Sequence, residues 1–177
     1  MAYPKITVNT GLAQEVISSD TLPIPSPNLS VLSGTTTAAT ANKLVDVGAD
    51  FSNVSVGDII YNTTDNTSAT VVAIDSSTIL EVSADIFTSP EAYTIFLGGP
   101  NGSSRINSSD GCLLYVGSND ATMDVAKSYV DIKVQTTAGS DITFANFPVG
   151  NYLPIQILKL YTTGTDAASR NSCIAIW

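Results

Sequence analysis

The sequence predicts an all-β protein. It reads as a C-terminal antiparallel β-sandwich over residues 111–177, an N-terminal extended arm over 1–30, and a small β-barrel or sandwich module inserted over 31–98. Three observations carry that expectation. Apolar runs are short, rich in Val, Ile, Tyr and Phe, and cut by Gly, Pro, Asp and Ser, which is the pattern of antiparallel strands. Helical patterning is confined to Ala49-Asp50-Phe51 and the stretch 83–87, each long enough for a single turn. Chain breakers bracket the middle of the protein on both sides.

Taken in order, residues 1–30 offer two short strand candidates, Ile6-Thr7-Val8 and Glu15-Val16-Ile17. Leu22-Pro23-Ile24-Pro25-Ser26-Pro27 follows, where three prolines fix φ and remove amide donors, so the piece is extended and excluded from a sheet interior. It reads equally as a stiff linker or as an arm laid on a neighbouring subunit. As such an arm it would add a strand to a neighbour's sheet edge through Ile6, Val8, Val16, Ile17, Leu22 and Ile24, and its removal would leave the rest folded. In the middle unit, Leu44-Val45, Ile59-Ile60-Tyr61, the run 70–74, the run 79–82 and Tyr93-Thr94-Ile95-Phe96-Leu97 are strands, with Asp75-Ser76-Ser77-Thr78 as a hairpin turn. Residues 99–110 are the linker. In the last third, strands run through 111–117, 130–134, 142–144 and 153–160, and the chain closes on Cys173-Ile174-Ala175-Ile176-Trp177. Leu114, Tyr115, Phe144, Phe147, Leu153, Ile155, Ile174 and Trp177 are expected to form the core or the oligomer contact of that sheet.

Composition narrows the function. Sixteen acidic against seven basic residues give a net charge of −9 with no Lys/Arg cluster, which disfavours nucleic-acid phosphates as a partner. Only 13% of residues are charged while 44% are hydrophobic, so the chain folds and its surface is largely neutral-polar. No apolar run approaches the roughly 20 residues of a membrane span, and no basic-then-apolar leader opens the chain, so it is expected to stay in the compartment where it is made. Histidine is absent, which removes Ser-His and Cys-His nucleophile pairs and His-based metal sites. Gly98-Gly99-Pro100-Asn101-Gly102 lacks the Lys-Ser/Thr of a phosphate-binding loop. Asp58, Asp65, Asp75, Glu81, Asp85, Asp131 and Asp141 are scattered through turns, as capping carboxylates are. Cys112 and Cys173 lie in apolar runs without metal spacing and read as buried small hydrophobes, with a bond between them left open. No catalytic residue, cofactor or metal is expected.

Several segments carry a family likeness. Gly111-Cys112-Leu113-Leu114-Tyr115-Val116-Gly117, Ile142-Thr143-Phe144-Ala145-Asn146-Phe147-Pro148-Val149-Gly150, Leu153-Pro154-Ile155-Gln156-Ile157, the stretch 161–168 and the closing Ile174-Ala175-Ile176-Trp177 resemble the head-spike base proteins of tailed bacteriophages and gene transfer agents. Residues 16–22 are similar to the short piece preceding the glycine-led strand in that family. The middle unit is absent from its short members and looks like modules of marine and cyanobacterial phage virion proteins. The resemblance implies a non-enzymatic capsid-surface protein, made in the host cytoplasm and placed on the outer surface of the head. It would decorate or cement the shell and serve as base for a spike or fibre. The implied partners are other copies of the chain (a trimer or pentamer), the major capsid protein and a spike or fibre protein, with no nucleic acid and no membrane. Two rival expectations are a tail, collar or baseplate component and a carbohydrate-binding module, the latter needing Tyr61, Tyr93 and Phe96 as exposed stacking rings.

Overall fold

The computed structural model describes residues 11–88, 90–98, 111–119 and 128–177, and the described chain is nearly all β, in antiparallel sheets. Strand β1 (Ala13–Glu15) comes first, followed by an extended strap through the proline-rich stretch and a single 3-10 turn at Pro27–Leu29. The next seven strands build the middle unit: β2 (Ser30–Thr35), β3 (Ala38–Thr40), β4 (Lys43–Val45), β5 (Ile59–Asn62), β6 (Thr67–Ser76), β7 (Ile79–Val82) and β8 (Ala92–Phe96).

Their order is β2-β8-β5-β6-β7-β4-β3, and the sheet closes on itself. Residues of one continuous stretch form both of its ends. Thr36 N donates to Glu91 O on the β8 side (2.9 Å) and Thr37 N donates to Val45 O of β4 (2.7 Å), so β2 and β3 act as one strand changing neighbour. Strand β6 does the same opposite, pairing with β5 over its first half and with β7 over its second, and bulges between Val71 and Ala73 and between Ile74 and Ser76 supply the bend. Both ends of the sheet thereby lose their free edge, which makes the module a small barrel. Its tight turns use asparagine in the left-handed region, Asn42 (φ 56) between β3 and β4 and Asn66 (φ 55) between β5 and β6, where a short polar side chain is tolerated. Leu44, Phe51, Ile60, Leu80 and Ile95 fill the interior together with Tyr93, whose hydroxyl donates to the buried Asp46 carboxylate at 2.8 Å. Gly34 is required beside that pair, since a Cβ there would lie 2.6 Å from the Tyr93 hydroxyl and 2.7 Å from Asp46 Oδ2.

The last third supplies β9 (Leu113–Val116), β10 (Tyr129–Thr136), β11 (Asp141–Pro148), β12 (Asn151–Tyr152), β13 (Ile157–Leu160), the one-turn helix α1 (Ala167–Arg170) and β14 (Ile174–Ile176). They form two sheets, β1-β14-β9-β12 and β11-β10-β13, packed face to face as a sandwich. Leu114, Val116 and Ala175 from the first sheet meet Val130, Ile132, Val134, Ile157 and Leu160 from the second in one core. Cys112 joins the sheets at a corner by exchanging hydrogen bonds with Ile157 (3.0 and 2.9 Å). The polar stretch 166–172 contains α1, whose buried Ser169 hydroxyl donates to Gly117 O at 2.7 Å. The expected single turn at 83–87 does not form, whereas one does form at Phe51–Asn53.

The N-terminal segment overturns the free-arm expectation. Strand β1 pairs with β14 of its own chain, Gln14 opposite Ala175. The strap continues along the same body: Val16 N donates to Cys173 O (3.0 Å), Ser19 N to Leu160 O (2.9 Å) and Ile24 N to Leu158 O (2.8 Å). Val16 and Ile24 are part of the sandwich core. Ile17 and the half-buried Leu22 instead join Ile59, Tyr61 and Phe96 of the barrel in a second apolar seam. These four residues are therefore taken up within the chain and not offered to a neighbour; burying them in cis satisfies the same backbone donors that an added strand would have used. Ile6 and Val8 lie outside the described residues. Both cysteines are buried and free, and burial pushes the Cys112 thiol up to about 12 and the Cys173 thiol to about 11.

Removing residues 1–27 is expected to abolish the cooperative unfolding transition of the sandwich, because it uncovers β14 and empties two core positions. In the full chain, Ile24→Ala should lower stability in urea by about 2–4 kcal/mol. A truncated protein that unfolds at the same urea concentration as the full chain would contradict the integral role of the strap.

Candidate functional site

The dispersed carboxylates act as local structure. Asp58 is fully buried and closes its turn by accepting from Ser55 N (2.8 Å) and Gly98 N (3.0 Å). Asp75 pairs with Lys43, Asp85 accepts from Asn42 N (3.1 Å), and Asp131 accepts from Asn146 N (2.9 Å). Asp141 accepts from the Tyr161 hydroxyl at 2.7 Å, and Asp20 accepts twice from Thr163, at 2.9 and 2.7 Å. Those bonds to the charged form, the backbone N–H of Thr163 first, hold Asp20 below its ordinary value. Among the described residues no group of three or more His, Cys, Asp or Glu is placed to hold a metal ion.

One carboxyl pair departs from this pattern. Glu91, 4% exposed, accepts from Asn62 Nδ2 at 2.9 Å, and the same Asn62 accepts from Asp65 N at 3.2 Å, which brings Asp65 beside Glu91 at the barrel end. A hydrogen bond between the two carboxyls, and then their mutual repulsion, raise Asp65 above its ordinary value. Tyr61 and Tyr93 are 2% exposed and Phe96 is 3% exposed, so the aromatic set that a carbohydrate module needs is core instead. A groove of about 250 Å³ does run along the seam, bounded by Gln14, Ile17, Ser30, Thr94 and the edges of Tyr61 and Phe96.

The remaining candidate surface is the sandwich itself. Leu114 and Leu153 are fully buried, while Phe144, Phe147, Ile155 and Trp177 are half-buried on the flank of the core. Tyr115 and Ile174 stand opposite each other on the outer face of the four-stranded sheet. Alternation puts Leu113 and Ile176 on that same face. Tyr152, 56% exposed, pairs with Tyr115 edge-to-face at 5.3 Å. On β9, β12 and β14 this face is thus apolar where an antiparallel sheet facing water would alternate to polar residues, while Glu15 of β1 stands on it beside Ile174. The sequence signal for it was available: in both 113–116 and 174–177 the residues on either side of each core position are apolar too. Charge is divided unevenly as well. Residues 31–98 hold eight carboxylates against Lys43 alone, whereas residues 111–177 hold five against four basic residues. Two of those four, Lys133 and Lys159, lie over the Tyr161 ring at 4.6 and 5.0 Å.

The Asp65–Glu91 pair gives the barrel a pH signature. Because the fold raises Asp65, it favours the protonated form; that contribution is complete below the ordinary value of 3.8 and is lost as pH rises through the folded value. Asp65→Asn should therefore be more stable than the parent at neutral pH, with the difference shrinking as pH falls toward 3.8, as read by thermal unfolding across a pH series. A constant difference would remove the pairing. No family model, no curated protein and no solved structure matches the chain.

Proposed function

We propose that this chain is a non-enzymatic structural protein of a phage virion, seated on the outer surface of the head, where it decorates or cements the shell and provides a base for a spike or fibre. The observation that carries the reading is the division of labour between the two units. Asp20, Asp58, Asp85 and Asp131 accept from backbone N–H groups, and the net negative charge is concentrated on the barrel. The sandwich is close to neutral, and Leu113, Tyr115, Tyr152, Ile174 and Ile176 form an apolar patch on its outer face beside Glu15. Such a body is suited to contact with other protein surfaces, and an acidic barrel to display in solvent. On a shell, many copies each making a modest contact hold firmly together. The likeness of residues 111–177 to head-spike bases points the same way and names the partners: other copies, a major capsid protein and a spike or fibre protein. Association with a tail, collar or baseplate is the competing location, since similar β modules serve several virion parts.

Cryo-electron microscopy of purified particles with the barrel labelled tests the proposal. Regular density on the head is expected, with the sandwich inward and the barrel outward. Label confined to the tail would move the protein there, and its absence from particles would end the virion reading. Tyr115→Glu combined with Tyr152→Glu should lower occupancy on particles at least tenfold while leaving the thermal unfolding of the free protein nearly unchanged, since Tyr152 is exposed and Tyr115 stands on the outer face.

A further inference from the structure

We propose that two copies of this chain pair through β11, antiparallel, across a twofold axis at Thr143. Among the described residues β11 is an edge strand with only β10 beside it. The direction of its free groups follows from β10. Lys133 O accepts from Tyr161 N (2.9 Å) and Asp131 O accepts from Asp166 N (2.9 Å), so residues 131 and 133 face away from β11 while 132, 134 and 136 face toward it. Their partners Phe144 and Ile142 bond inward, which turns the N–H and C=O groups of Asp141, Thr143 and Ala145 outward. The open stretch ends there: Asn146 takes a left-handed conformation (φ 51) at the bulge, and Pro148 has no N–H to give.

This short edge complements itself. Centred on Thr143, two antiparallel copies set Thr143 against Thr143 and Asp141 against Ala145 of the other copy, exchanging about six backbone hydrogen bonds. Ile142 then faces the other copy's Phe144 on the core side, extending the flank that Phe144 and Phe147 leave half-covered, and Ile142 is 39% exposed without it. Asp141 is the single charge in β11, and antiparallel pairing sends the two copies of it to opposite ends. Edges that stay single usually carry lysines or inward charges against such pairing, and this one has neither. The large negative charge of the barrel is kept out of the way. The strap that touches the barrel lies along β13, on the far side of β10 from β11, so the two acidic barrels point apart. An isologous contact of this kind closes on itself and uses up both edges; rings of three or five copies would need a second, heterologous surface.

The proposal deepens the assembly reading but is measured on the free protein. Sedimentation velocity up to about 100 µM should show a concentration-dependent dimer. Thr143→Pro should be monomeric with unchanged thermal unfolding, because the amide it removes points away from β10. Ala145→Glu, which sets a second carboxylate against Asp141 of the other copy, should weaken the dimer several-fold, and Ala145→Lys should not. A parent protein that stays monomeric over this range overturns the proposal, and so does a dimer in which both Ala145 variants match the parent. Failure here leaves the head-surface reading standing, and absence from particles leaves the dimer standing.

Discussion

The structure depends on backbone hydrogen bonds made by the first described residues to the last. Strand β1 lies on β14, and the strap then bonds to Cys173, Leu160 and Leu158, so both sheets of the sandwich are held by a segment that precedes the barrel in sequence. The sandwich cannot complete itself until the barrel has been made and the chain has returned. This is a contact of high sequence separation, with the loop entropy that such contacts cost. The first described residues are tied to the last as well, where Trp177 N donates to Leu12 O at 3.0 Å.

Because one strap serves both units, its two faces divide between them. Val16 and Ile24 enter the sandwich, whereas Ile17 and Leu22 pack on Ile59, Tyr61 and Phe96 of the barrel. Tyr61 and Phe96 meet edge-to-face at 5.3 Å in that seam, and burial raises the Tyr61 hydroxyl well above its ordinary range. The barrel is therefore mounted on the sandwich by an apolar contact, which holds its acidic surface at a fixed place relative to the neutral body. The polar groups buried here are mostly matched. Tyr93 meets Asp46, Asn62 meets Glu91, and Asp58 meets two backbone amides.

Matching of that kind also explains how the barrel accommodates so many carboxylates. Each buried one sits where backbone N–H groups or a side-chain amide or hydroxyl donate to it, so burial does not leave a charge without hydrogen bonds. Asp65 differs in being exposed at the barrel end, where its neighbour is another carboxyl. On the outer face of the sandwich, β9, β12 and β14 carry neutral rings and aliphatic side chains, with Glu15 of β1 as the charge beside them.

The sequence by itself determined the all-β class, most strand positions and the absence of the histidine that Ser-His and Cys-His pairs and His-based metal sites require. Alternating apolar runs and their Gly, Asn and Pro punctuation are local properties, so 59–61, 79–82 and 130–134 could be placed without a fold. Strands β2 and β3 were not legible, because Ser30–Thr35 and Ala38–Thr40 bury little and alternate poorly; closure of the barrel, not their composition, makes them strands. Helix α1 and the two-residue β12 were missed for the same reason. The fate of the N-terminal segment was decided only by tertiary structure. A strand edge is recognised through backbone groups that every residue except proline carries, so nothing in Val16, Ile17 or Ile24 says whether the edge they complete belongs to their own chain or to another.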